Sequence, residues 1–284
     1  MTVSFGVAVV AAASNAASNV LQRKANRDKP PELSLSPRLI AELVKDKIWL
    51  AGLVTVVASF LLTAVALSGG QLAAVQPVIV LELPMTLIAA AVAFKARLHR
   101  REWVAAAAMT AGVVGLIAFL APRAGRTSVN WYVWVIGLGA ASGIIAALVL
   151  LGRGRPPAAK AAIFGVATGL SFGITAVLMK AMTAQFSHGI IGILTAWQTY
   201  SMIGSGIIGM FLMQNALQAG RLIAAQPGIT LLDPLVAILW GTLVFGERTR
   251  GGIFLLLAAF SGVLVAAGAV VLAGSPLLEG EAGG

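Results

Sequence analysis

One membrane segment is written twice in this chain. Residues 66–84 read ALSGGQLAAVQPVIVLELP and residues 216–234 read ALQAGRLIAAQPGITLLDP. Laying Gln76 on Gln226 without a gap also lays Ala66 on Ala216, Gly70 on Gly220, Leu72 on Leu222, Pro77 on Pro227 and Pro84 on Pro234. Each copy lies in an apolar run long enough to cross a bilayer, and each carries one carboxylate near the centre of its run: Glu82 in the first, Asp233 in the second. A carboxylate at that depth costs about 2.5–3.5 kcal/mol on insertion scales, so it faces a cavity or a partner. In register Glu82 matches Leu232, so the two acids are near-equivalent and not symmetric.

The rest of the chain keeps the same character. It is 59% hydrophobic and 11% charged, with a mean hydropathy of +0.94. Its fold class is therefore an all-α polytopic membrane protein. The expected spans are 3–22, 48–68, 71–94, 103–121, 131–151, 161–180, 189–213, 221–245 and 253–273. The first lacks a basic leader and a convincing cleavage site, so it reads as a retained helix and not as a signal peptide. The long connection 23–47 holds Pro30, Pro31 and Pro37, with a short interfacial helix expected after Pro37, and the tail 275–284 reads as disordered.

A net charge of +10 would suggest nucleic acid in a soluble protein, but here the basic residues lie between the apolar runs and report topology. No basic surface with interleaved aromatics points to nucleic acid. With nine spans, fifteen Lys and Arg fall on one side and five on the other. The amino terminus is then outside and the carboxyl terminus cytoplasmic, in the cell (inner) membrane. The chain divides into a first four-helix repeat (1–121), a lone fifth helix with its loops (122–160) and a second repeat (161–274). The odd helix turns the second repeat over, and inverted repeats with broken helices near the midplane recur in secondary transporters.

Proline lacks an N–H and displaces the carbonyl one turn earlier, so Pro77, Pro84, Pro227 and Pro234 read as helix breaks that free backbone groups inside the membrane. Gln76, Gln226, water or a ligand could satisfy them. Asp233 directly before Pro234 also fits the N-cap of a restarting helix; Glu82 fits a cap less well and is favoured as the group that binds a proton or ligand. Asn15, Ser18, Asn19 and Gln22 share one face of the first span, either lining a cavity or joining helices. The substrate or proton site is therefore Glu82, Asp233, Gln76, Gln226, Asn15 and Asn19.

The remaining signals read as architecture. Gly165, Gly169 and Gly173 form a small-residue stripe for close helix packing, beside a polar stripe of Thr168, Ser171 and Thr175. Lys180 reads as a side chain that snorkels to the outer surface. Gly204 to Gly209 matches GxGxxG inside a membrane helix without a preceding strand, which is packing and not a nucleotide loop. With no cysteine, and only His99 and His188 in connections, no catalytic constellation, metal site or cofactor is expected, and the chain does not read as an enzyme.

The segment LVFGERT (243–249) resembles the proline-to-GlyGlu signature of the drug/metabolite transporter (EamA-like) superfamily, with Lys95-Ala96-Arg97 where the first copy would repeat it. The finer order is similar to the NIPA magnesium-transporter branch: SNVLQRKA (18–25), a long basic connection, KDKIWLAGL (45–53) and a lone middle helix. The resemblance implies a transporter. Three functions stay open: proton-coupled movement of a small organic solute or metabolite, transport of a divalent cation such as Mg²⁺, and a scaffold in the membrane without transport. The expected partners are the lipid bilayer and a small-molecule or cation substrate, and the small-residue faces serve internal packing or a homodimer equally well.

Overall fold

The computed structural model describes residues 2–27, 45–126, 129–219 and 222–275. The interfacial helix expected after Pro37 and the tail beyond Ser275 lie outside the described residues. In chain order the helices are α1 (Thr2–Arg27), α2 (Lys47–Gly69), α3 (Leu72–Ile79), α4 (Glu82–Ala93), α5 (Arg100–Leu120) and α6 (Trp131–Gly152), then α7 (Pro157–Thr183), α8 (Gly189–Thr195), α9 (Trp197–Ala219), α10 (Leu222–Leu243) and α11 (Ile253–Ala273). A single 3₁₀ turn, Phe186–His188, precedes α8, and no β-strand occurs among the described residues.

Seven stretches are long and apolar enough to cross a membrane: Val3–Ala25, Lys47–Gly69, Leu72–Ala93, Arg100–Leu120, Trp131–Gly152, Pro157–Thr183 and Ile253–Ala273. Six of them have large apolar side chains facing outward, Val54, Ile136 and Leu256 among them, and the seventh, Pro157–Thr183, is the most enclosed by the other helices. This is the surface a multi-pass membrane protein presents to lipid. All nine expected spans are helical. Two of them, α9 and α10, fall outside the set that qualifies by length and apolarity, so that criterion supports seven crossings among the described residues, not nine.

Two expected spans are divided, and the divisions have local causes. Between α3 and α4 the chain turns at Val80–Leu81. Pro84 can offer no N–H to the Val80 carbonyl four residues back, and its ring would strike that carbonyl. Leu83 N–H bonds the Val80 carbonyl instead, at 3.2 Å, and Leu81 N–H bonds Val78, at 3.0 Å, so the helix restarts through tighter turns. The second division is at Ala196, which separates α8 from α9.

The second copy does not follow the first. The breaks expected at Pro227 and Pro234 are absent, because Leu222–Leu243 runs on as one helix containing both prolines, and Pro77 of the first copy likewise lies inside α3 without breaking it. Asp233 therefore sits in a helix interior and caps nothing, which removes the N-cap reading. The acid at a helix start is Glu82, the first residue of α4.

Packing is closest where side chains are smallest. A Cβ on Gly165 would lie 2.3 Å from the Ala225 carbonyl, one on Gly169 2.4 Å from the Gly228 carbonyl, and one on Gly173 2.6 Å from Val236 Cβ. The glycine stripe is thus the face by which α7 touches α10. The neighbouring polar stripe joins α7 to α9: Ser171 Oγ donates to the Ser205 carbonyl, Ser205 Oγ donates back to the Ser171 carbonyl, both at 2.9 Å, and Thr175 donates to Ser205 Oγ. Ser205 belongs to the GxGxxG match, and Gly209 at its end meets the Phe172 ring, so that match is packing.

α5 and α11 are pressed together in the same way across Gly112 and Gly268. α6 packs mainly on α7 and is the least buried of the seven spans.

Candidate functional site: a polar cavity between the two copies

Asn15 Nδ2 of α1 donates to Glu82 Oε2 at the start of α4. One turn further along α1, Asn19 and Arg23 line a cavity of ≈ 220 Å³, with Glu82, Leu83, Thr86 and Ala90 of α4 facing them. Gln226 of α10 and Ala273 of α11 close it, so both copies contribute to one chamber. The spacings explain the lining: Asn19 and Arg23 are i and i+4 on α1, and Glu82, Thr86 and Ala90 are i, i+4 and i+8 on α4.

The polar face of α1 divides between the two expected uses. Asn15 and Asn19 serve the cavity, whereas Ser18 donates to the Gly52 carbonyl of α2 at 2.8 Å and Gln22 donates to Ser18 at 3.0 Å. Gln226 holds an internal bond as well, its Nε2 donating to Thr230 Oγ1 at 3.0 Å. Gln76, the counterpart of Gln226, is buried in α3 and does not line the cavity. Pro77 is buried beside it, and Pro84 is buried in the first turn of α4.

Asp233 lies within electrostatic reach of Glu82. Its Oδ1 and the Thr86 Oγ1 are the buried side-chain atoms among the described residues that find no hydrogen-bond partner in the protein. Buried polar atoms are nearly always bonded, and an orphaned one costs about 1–3 kcal/mol. Two of them beside a carboxylate make this the chemically unfinished region of the molecule. Among the described residues, Glu82 and Asp233 are not joined by a third acid, histidine or cysteine in a grouping that could hold a metal ion.

Two polar lining residues are not legible in the sequence as site residues. Arg23 was assigned to topology, yet it reaches back over the Phe94 ring, 5.4 Å from its centroid, and borders the cavity. Thr86 could have been found from its spacing, since it lies one turn after Glu82.

Two more charged side chains have an architectural role that the sequence did not reveal. Lys180 does not snorkel outward: its Nζ donates to the carbonyls of Leu67 and Gly70, at 2.5 and 2.6 Å, which close the turn between α2 and α3. Glu247 of the GlyGluArg segment reaches the same turn. Its Oε1 accepts from Leu72 N–H at 2.7 Å and its Oε2 from Ala73 N–H at 3.0 Å. Gln71 makes no side-chain cap for α3, so Glu247 supplies it from far along the chain. Burial pushes the Glu247 carboxyl above its ordinary value, against the opposing pull of the two N–H groups and of Lys180.

Comparison with known proteins adds one relative. The chain is 33% identical over 220 residues to an uncharacterized protein of Corynebacterium glutamicum, an alignment covering 77% of this chain and 76% of the relative. No family model matches the chain. No solved structure matches it either. At that identity and coverage, this helical chain with its polar cavity belongs to the same family as the uncharacterized Corynebacterium glutamicum protein.

Proposed function

We propose that the chain is a secondary transporter of the drug/metabolite (EamA-like) type that moves a small organic solute across the cell membrane, coupled to protons through Glu82 and Asp233. The carrying observation is the cavity itself. It is bordered by Glu82 from one copy and Gln226 from the other, with Arg23, Asn19 and Thr86 completing a lining that can hold a polar solute. A carboxylate that can exchange its Asn15 partner for a proton or for a substrate donor offers the linkage a coupled carrier needs.

The inverted-repeat reading, 1–121 against 161–274 with 122–160 between them, draws support from which helices meet. α5 packs on α11, and α3 packs on α10. These are the fourth and third members of each copy, and equivalent elements touching one another is what a pseudo-two-fold axis through the site produces. In this reading the cavity lies near that axis, the amino terminus is outside and the carboxyl terminus is cytoplasmic.

Divalent-cation transport is the second reading, favoured by the proximity of Glu82 and Asp233. Among the described residues no third acid stands beside them, so the pair would hold Mg²⁺ through its water shell, with Asn19 and Gln226 as further oxygen donors. The test is flux into proteoliposomes of purified protein under an imposed pH gradient, with internal pH and free Mg²⁺ recorded together. Proton movement that requires an added organic solute and is lost in Glu82→Gln supports the proposal. Mg²⁺ entry lost in the same variant replaces it with the cation reading. No flux of any kind, together with unchanged phenotypes of Glu82→Gln and Asp233→Asn in cells, points to a scaffold.

A further inference from the structure

The basic end of the α5–α11 pair holds a second concave surface, separate from the polar cavity. A groove of ≈ 570 Å³ runs between the two helices, floored by Ala105, Ala108 and Gly268 and flanked by Val104 and Val271, with Arg100 and Arg101 at its mouth. An adjoining chamber of ≈ 260 Å³ shares Arg101 and Val271 with the groove and adds the polar groups of His99, Glu102 and Ser275. The two lie side by side, an apolar groove with both guanidiniums in its lining and a smaller compartment that holds the polar groups.

The small side chains create the groove. Gly268 draws α11 in until a Cβ there would lie 2.8 Å from the Ala105 carbonyl, and Ala105 and Ala108 leave the flank of α5 low.

Charge decides what suits the mouth. Arg100 and Arg101 are both exposed, and neither pairs with a carboxylate among the described residues. Glu102, the nearest acid in sequence, is only 6% exposed and already occupied: it accepts from the His99 backbone N–H at 2.7 Å and from the Ser275 hydroxyl. The acid that could neutralise the pair lines the adjoining chamber with both oxygens already engaged, one of them as the helix cap, and it pairs with neither guanidinium. Two unpaired guanidiniums offer forked N–H donors that fit a phosphodiester, and an apolar groove opening directly beneath them fits an acyl chain.

We propose that this groove binds one anionic phospholipid, its phosphodiester held between Arg100 and Arg101 and one acyl chain lying along Ala105, Ala108 and Gly268. The site is independent of the transport reading, because it needs only that the chain resides in a bilayer. It gives the α5–α11 pair a lipid that ties the two copies together at the basic face.

The experiment is native mass spectrometry of the full chain released from mild detergent, with phosphatidylglycerol or phosphatidylcholine added at equal concentration. The wild type is expected to retain phosphatidylglycerol about tenfold better or more, since each basic side chain near an anionic headgroup adds roughly a several-fold preference. Arg100→Ala/Arg101→Ala should abolish that preference, and Ala267→Phe, which lines the groove from an exposed position, should reduce retention of either lipid. Lys95→Ala/Arg97→Ala removes the same charge from the connection just before α5 and should leave the preference intact.

Equal retention of the two lipids by the wild type overturns the proposal, as does an undiminished preference in the Arg100/Arg101 variant. So does an equal loss in Lys95→Ala/Arg97→Ala, which would mean diffuse surface charge. Displacement of phosphatidylglycerol by millimolar inorganic phosphate would make the mouth a free-anion site and overturn it too. Thermal melting of each variant, with and without phosphatidylglycerol, separates lost binding from misfolding: a folded variant melts like the lipid-free wild type.

Discussion

Replacing Glu247 by alanine tests whether the two halves of the chain are fastened together at the α2–α3 turn. In the folded protein the carboxylate accepts two backbone N–H groups at the start of α3, and the residue is 4% exposed. Hydrogen bonds to a charged acceptor contribute about 1.5–3 kcal/mol each, and an orphaned buried donor costs about 1–3 kcal/mol. Water entering the space left by the side chain recovers part of both, so the net loss works out at about 3 kcal/mol.

Gly241 leaves room for the carboxylate, since a Cβ there would stand 2.5 Å from Glu247 Oε2; Gly241→Ala should therefore reproduce a large part of the loss. Glu247→Gln keeps one acceptor oxygen and should lose about half as much.

The assay is thermal unfolding in detergent at pH 8, read by tryptophan emission. Trp134 of α6 packs its ring against Trp240 and Phe245, which lie just before Glu247 in the chain, with centroids 5.5 Å and 6.0 Å apart. For a chain of this size the expected fall in midpoint is roughly 6–12 °C. Lys180→Met in the same background should be non-additive, because Lys180 holds the carbonyls on the other side of the same turn. A midpoint within about 2 °C of wild type for Glu247→Ala would refute the reasoning, for water alone would then be satisfying the α3 N–H groups.

Two other outcomes follow from the same contacts. Gly169→Leu should separate α7 from α10, because even its Cβ would press on the Gly228 carbonyl at 2.4 Å and Leu232 at 2.8 Å; a destabilisation of about 1–3 kcal/mol or loss of folded protein is expected on size-exclusion chromatography, while Gly262→Leu, whose Cβ meets nothing within 4 Å, should fold normally. Stability should also depend on pH through Glu247, whose carboxyl is held above its ordinary value in the folded state. Between the ordinary and the raised value the folded chain binds a proton that the unfolded chain lacks, so this contribution is complete below the ordinary carboxylate range and is lost as pH rises through the raised value. Unfolding midpoints measured across that window should fall with rising pH in the wild type and show a shallower slope in Glu247→Gln.

The positions of the helices were legible in the chain because each is an apolar run bounded by charge, glycine or proline, and such runs can bury their backbone polar groups in lipid only as helices. The glycine stripe on α7 was legible for a similar reason: spacing alone puts Gly165, Gly169 and Gly173 on one face. Glu82 and its neighbour Asn15 could be named as site residues because a buried carboxylate and an amide in apolar runs each need a partner. That they are partners of one another could not be read, since the spacing within α1 says nothing of the angle at which α4 crosses it.

Repetition in the sequence did not guarantee repetition in the backbone. The first copy breaks at Val80–Leu81, and the second carries its two prolines through one helix, because the surroundings of a proline decide whether the freed carbonyl is re-bonded by a turn or left within a continuing helix. The charges behaved likewise. Lys180 reads from the sequence as a snorkelling side chain and Glu247 only as part of the GlyGluArg segment, and the approach of the second copy to the α2–α3 turn is what gives them backbone groups to hold. The sequence by itself determined which segments are apolar helices and which faces are small or polar, because those follow from local composition and helical period. Tertiary structure alone decided which polar groups meet, because a hydrogen bond between distant helices depends on crossing geometry that no single helix encodes.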